Sequence, residues 1–295
     1  DSKYLVVSFL AGFGLMTLEL AATRIVAPYI GNSIYTWTSI IGTVLLGSSV
    51  GYVWGGYKID KNPSQKVVFG LSLGAALFIF LINIFVKILS RLAVSNMPML
   101  LISAISALIL FFIPSLLIGA ISPCLLKLKT KGIEGVGLQS GLLSAFWAAG
   151  SILGTIFTGF FLVGVLGNQR IILLTAGIFL AISFVFYKKK RVLFALFFLL
   201  ALFPIDFTKS HSSLIYRKES NYYSIEVIKG KIFPYGDVKI LFLDSGSHGI
   251  ESDDGEKIRT YPEIFPIFFT LKPDIANIHL IGGGAQTISK KMLSS

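Results

Sequence analysis

The chain has 295 residues, of which 54% are apolar and 14% charged, with a mean hydropathy of +0.78 and a formal net charge of +11. These values exclude an ordinary soluble domain and point to an integral membrane protein. The basic excess lies in residues 1–207, with 15 Lys/Arg against 5 Asp/Glu, and not in 208–295, with 11 against 10; it belongs to loops between apolar spans and needs no nucleic-acid partner.

Taken in chain order, six stretches are apolar and long enough to cross about 30 Å of hydrocarbon: 4–27, 35–57, 67–89, 97–126, 138–166 and 169–187. The first run is too long for a signal peptide and lacks a small-residue cleavage site. The fourth and fifth are long and hold Pro114, Pro123 and several glycines, so a tilt or kink is expected there. A seventh stretch, 192–205, is short; it either returns across the bilayer or lies in the interface. Lys3, Lys58, Lys61, Lys66, Lys127, Lys129, Lys131 and Lys188 to Arg191 fall on one side. The positive-inside rule makes that side, with the N-terminus, cytoplasmic. The C-terminal region is then cytoplasmic with six spans and external with seven.

Within the spans, Glu19 and Arg24 stand out. A carboxylate at membrane depth is costly and should face other helices or a wet cavity. Glu19 reads as a proton or cation site, or as a structural group paired with Thr23, Asn83 or an interfacial arginine. Gly47, Gly51 and Gly55 share one helix face and permit close backbone approach, in packing or beside a substrate path. The second and fifth spans share a tryptophan followed by small residues, Trp37 to Gly56 and Trp147 to Gly164. Two three-helix units of opposite topology would account for the echo; so would small residues lining ordinary helix contacts. Cys124 is the single cysteine, so no intrachain disulfide can form. The three histidines have no metal-ligand spacing, and no metal site is expected.

From Ser210 the composition becomes that of a soluble domain. Residues 213–229 alternate as one strand, 238–244 form a second paired with it through a long loop at Pro234, 256–271 are helical, and 275–281 form a third strand. That strand runs into Gly282, Gly283 and Gly284 and a following helix, the shape of a nucleotide-binding turn without GxGxxG spacing. Glu251 to Glu256 form an acidic loop, either solvated or a polyamine or metal site.

Four segments resemble motifs of spermidine synthases. Ser220 to Val227 is similar to their S-x-Y-Q-x-I-x-V, and Leu241 to His248 to L-x-L-D-G-x-x-Q. Tyr261-Pro262-Glu263 is similar to Y-H-E, and His279 to Gly284 to V-L-x-I-G-G-G-D-G. The stretch Glu19 to Gly31 resembles the membrane region fused to such domains in membrane-bound spermidine-synthase-like proteins. The resemblance implies an α-helical polytopic bundle of six or seven spans (1–207), then a small β-rich region and the start of a Rossmann-like, methyltransferase-type α/β domain (208–295). It implies aminopropyl transfer from decarboxylated S-adenosylmethionine as co-substrate. Gly282, Gly283 and Gly284 would contact the donor, and Asp244 and Tyr261 would line the amine pocket. The chain departs from the family at Tyr223, His248, Pro262, Ala285 and Gln286, and ends at Ser295 inside the first βα unit. A degenerate transferase is therefore the expectation, with no catalytic residue assigned. The alternatives are a non-catalytic subunit or scaffold, as a homo-oligomer or in a membrane complex, and a transporter of a small cation such as a polyamine. The lipid bilayer is the expected partner in each case.

Overall fold

The computed structural model describes residues 2–92, 97–130, 132, 135–186, 213–220, 223–232, 236–244, 246–252, 267–271 and 279. The chain divides into two compact units, Asp1–Phe207 and Thr208–Ser295.

The described residues of the first unit form helices and short connections: α1 (Ser2–Ile30), α2 (Ile34–Lys61), α3 (Gln65–Leu92), α4 (Met99–Gly119), α5 (Ile121–Lys129), α6 (Val136–Phe157), a π-helical turn (Thr158–Leu162), α7 (Val163–Leu166) and α8 (Asn168–Phe186). Among the described residues, six stretches are long and apolar enough to cross a membrane: Ser2–Ile30, Ile34–Lys61, Gln65–Val86, Met99–Lys129, Val136–Leu166 and Asn168–Phe186. The exterior is apolar too, with Val53 76%, Phe160 75% and Val165 78% exposed. Such a belt has no place in water.

Both long spans are irregular, as their prolines and glycines suggest. The fourth breaks at Ala120. Pro123 has no N–H to offer the Gly119 carbonyl, so the helix stops and restarts with Pro123 in the first turn of α5. The fifth widens into a π-turn, where the Thr158 hydroxyl donates to Thr17 Oγ1 at 3.0 Å. Pro28 sits inside α1 near its end. It leaves the Arg24 carbonyl without a helical donor, and Asn168 Nδ2 approaches that oxygen at 3.5 Å. The corner into α2 uses Gly31 at φ 95° and Ser33, whose side chain accepts from the Thr36 N–H at 3.3 Å as an N-cap.

Backbone-close seams hold the helices together. On α2 against α4, a Cβ added to Gly47 would lie 2.8 Å from the Phe112 carbonyl oxygen and one on Gly55 2.5 Å from that of Ala120. One on Gly51 would overlap the Leu116 carbonyl. The glycine row is thus a packing device, and Gly119 answers it against Ser48. On α1 against α6, Gly12 faces the Trp147 carbonyl, Gly150 that of Phe9 and Gly154 that of Phe13. The helices α3 and α8 form a third close pair.

The second unit contains a four-stranded antiparallel meander in the order β1 (Leu214–Glu219), β2 (Ser224–Ile232), β3 (Gly236–Leu243), β4 (Gly246–Ser252), and a short helix α9 (Ile267–Leu271). Two expectations are corrected here. The single strand over 213–229 is two strands, reversed at Ser220 to Tyr223, where Ser220 Oγ accepts the Tyr223 N–H at 3.0 Å. Alternation survived the reversal because β1 and β2 share both faces of one sheet. The start of the acidic loop is strand β4, with Glu251 opposite Lys239. Residues 192–205, the 256–266 part of the expected helix with Tyr261, residues 275–278 and 280–281 of the third expected strand, and the Gly282–Gly284 turn lie outside the described residues. The Rossmann-like expectation therefore has only the meander beneath it.

Candidate functional site

Two groups of residues carry chemistry, one in each unit. In the helical unit Glu19 is partly exposed, while Leu15, Ala22 and Val26, at helical spacing on its own face, are buried. The carboxylate therefore stands at the edge of the buried face of α1, beside half-exposed Met16 and Leu20, and keeps part of its surface accessible. The partners expected from sequence do not engage it. Thr23 Oγ1 donates to the Leu20 carbonyl at 2.9 Å instead, and Asn83 Nδ2 is buried without a partner among the described residues. No hydrogen bond or ion pair joins Glu19 to a described residue. Arg24 lies five positions on, and the α1 turns between them leave it on a different face. Glu19 and Arg24 are thus neighbours in sequence and not a pair in space.

One end of the bundle collects the basic residues. Asp60 pairs with Lys127 at 2.9 Å across the ends of α2 and α5, and Gln65 Nε2 meets the Tyr4 hydroxyl at 3.5 Å. Those contacts put the start of α1, the α2–α3 turn and the end of α5 together. Lys58 lies over the Trp54 ring at 4.5 Å and Lys61 over Tyr57 at 4.3 Å. Aromatic rings beside lysines suit a headgroup layer; the ion pair itself is exposed and contributes little.

In the sheet, the two strand motifs singled out from sequence are hydrogen-bonded neighbours. Ile225, Glu226 and Val227 of the first pair with Leu243, Phe242 and Leu241 of the second. Asp244 closes the junction: its Oδ1 accepts the Ser224 N–H at 2.9 Å, and its own N–H donates to the Ser224 carbonyl at 2.9 Å. Its φ is 53°, the left-handed region that Asp tolerates better than most residues. Between Leu241 and Phe242 the register of β4 gains one residue, and that extra residue is His248, exposed on a bulge. Sequence reading singled out His248 only as a departure from a motif; its bulge was invisible because a one-residue register shift leaves no mark on alternation this short. Asp244→Ala should lower the stability of the sheet by about 1–2 kcal/mol, from one lost hydrogen bond plus a left-handed alanine. Asp244→Asn should keep most of it, read by hydrogen exchange at the Ser224 amide.

No family model, curated protein or solved structure matches this chain.

Proposed function

We propose that this is an integral membrane protein related to the membrane-bound spermidine synthases, with a degenerate aminopropyltransferase-type module behind its helices. The observation that carries the reading is the pairing of the two strand motifs through Asp244 and Ser224. The two segments that resemble the family's strand motifs are hydrogen-bonded neighbours, a β-region that precedes a glycine-rich stretch in sequence as in that family. The apolar belt and the lysine-aromatic end support insertion with the N-terminal end in the cytoplasm.

In this reading Gly282, Gly283 and Gly284 let backbone N–H groups approach the adenosyl donor. Asp244 and Tyr261 would line the amine pocket. One Asp244 oxygen already accepts a backbone N–H; a carboxylate has capacity left for an ammonium group. Tyr223, His248, Pro262 and Ala285 stand where the family has other polar or acidic groups, which weakens donor and amine positioning. The donor is an intracellular metabolite, so the reading requires a cytoplasmic C-terminal module, the side that six spans would give it.

The test is isothermal titration of decarboxylated S-adenosylmethionine into the full chain in detergent, followed by incubation with putrescine. Measurable heat without spermidine formation is the expected result, and turnover would restore an active transferase. No heat, or protease digestion of the module from outside intact cells, would overturn the donor-binding reading.

A further inference from the structure

We infer that the six-span unit is an inverted-topology repeat and works as a carrier for a small monovalent cation, with Glu19 as its charged ligand. The repeat shows itself in a constant interval. The carbonyls that receive Gly47 and Gly51 belong to Phe112 and Leu116; those that receive Gly150 and Gly154 belong to Phe9 and Phe13. Every matched residue in the two sets differs by 103 positions: Gly47 and Gly150, Gly51 and Gly154, Phe9 and Phe112, Phe13 and Leu116. The same interval relates Gly55 against Ala120 in one seam to Thr158 against Thr17 in the other.

The rest of the unit obeys it. Ser72 on α3 and Thr175 on α8 are fully buried, and each donates to the carbonyl four residues back, at 2.8 Å in both cases. Val7, Ala11, Leu15 and Leu18 are buried on α1, as are Leu110, Pro114, Ile118 and Ile121 on the fourth span. Packing follows the rule: α1 on α6 mirrors α4 on α2, α1 on α8 mirrors α4 on α3, and α3 on α8 maps to itself. The register is not the one suggested by Trp37 and Trp147, which is why the echo is faint in sequence. Three crossings separate the repeats, so they run in opposite senses through a membrane. The axis relating them lies in its plane.

Folds of that symmetry place their ligand near mid-membrane, where the halves meet and can rock against each other. Glu19 is the acidic residue at that depth. Its symmetry mate is Ser122, partly exposed in the same way. Near the centre of the α2–α4 seam Ser48 and Ser115 hold buried hydroxyls with no partner among the described residues. Their matched positions in the other seam are Ser151 and Gly12, so the two seams differ in polarity at this level. One carboxylate at that depth balances one positive charge, so the ligand is an alkali ion or an alkylammonium ion and not a multivalent cation.

The experiment is uptake of radiolabelled sodium, rubidium or methylammonium by proteoliposomes holding the full chain. Glu19→Gln should cut influx of whichever ion enters by at least about tenfold, equivalent to 1.4 kcal/mol, and Glu19→Asp should restore part of it. Entry of metal ions or of methylammonium alone identifies the source. No entry of any of the three, or equal entry in Glu19→Gln, overturns the inference. A second measurement does not depend on choosing the solute. Glu19→Cys in a Cys124→Ala background should react with a membrane-impermeant thiol reagent applied from either face. Reaction from one face only, or from neither, also overturns it. Neither readout involves the soluble module, so this inference and the donor-binding reading fail separately.

Discussion

Replacing Gly51 by valine should remove the folded helical unit from the well-behaved fraction of a detergent extract. A Cβ there meets the Leu116 carbonyl and the Ala120 amide, backbone atoms that no rotamer change can move aside. Overpacking a core costs typically about 1–3 kcal/mol when side chains can yield; here the helices α2 and α4 must separate along their length. A loss at or above the top of that range is expected, read as a lower melting temperature and early aggregation in size-exclusion chromatography. Gly150→Val should do the same to α1 and α6, since its Cβ would meet the Phe9 carbonyl. The control is built into the chain. Gly42, Gly70 and Gly141 have no atom within 4 Å of an added Cβ. Alanine at those sites should leave stability unchanged or raise it by up to about 1 kcal/mol through helix propensity. Equal effects at the two classes of glycine would mean that the seams are not where the structure puts them.

The spans were legible because hydrocarbon imposes a length and a composition, and both are written in consecutive residues. The helix ends at Ile30, Lys61 and Phe186 fall within a few positions of those read from sequence. Glycine rows were legible as contact faces, yet their partners were not. Gly47 seeks the Phe112 carbonyl, and a carbonyl has no residue-type signature. The repeat was hidden for the same reason: what is preserved is backbone proximity and burial, while side chains at matched positions, such as Gly55 and Thr158, differ freely. In the sheet, Ser220 to Tyr223 turned a continuous alternation into a hairpin through a backbone bond and one hydroxyl, local contacts that alternation cannot report. Glu19 drew attention as an expensive residue. That it sits at the edge of the buried face of α1, away from Arg24 and without Thr23, required the packing of α1 on its neighbours.

Phe179→Ala should destabilise the unit by about 3 kcal/mol or more, and the loss should depend on what stands at Gly14. The ring is fully buried on α8, and a Cβ on Gly14 would come within 2.7 Å of its Cε2. If the helices lie in lipid, as proposed, there is little hydrophobic driving force between them, and this ring holds α1 to α8 through dispersion and shape. Truncation leaves a void whose cost in water-soluble cores is about 3–5 kcal/mol for Phe→Ala; without the transfer term the lower end is expected. Gly14→Ala alone should also destabilise, because its methyl group enters the space of the ring. In combination the two changes should be less harmful than their sum by roughly 0.5–3 kcal/mol, the range found for residues in contact. The measurement is a double-mutant cycle on thermal unfolding in detergent. Strict additivity would mean that the ring is not seated on Gly14, and that α1 meets α8 at some other register. Because α1 on α8 and α4 on α3 are mirror contacts of the repeat, that outcome would also remove one of its supports; strong coupling would fix the depth at which Glu19 lies relative to α8, one and a half turns farther along α1.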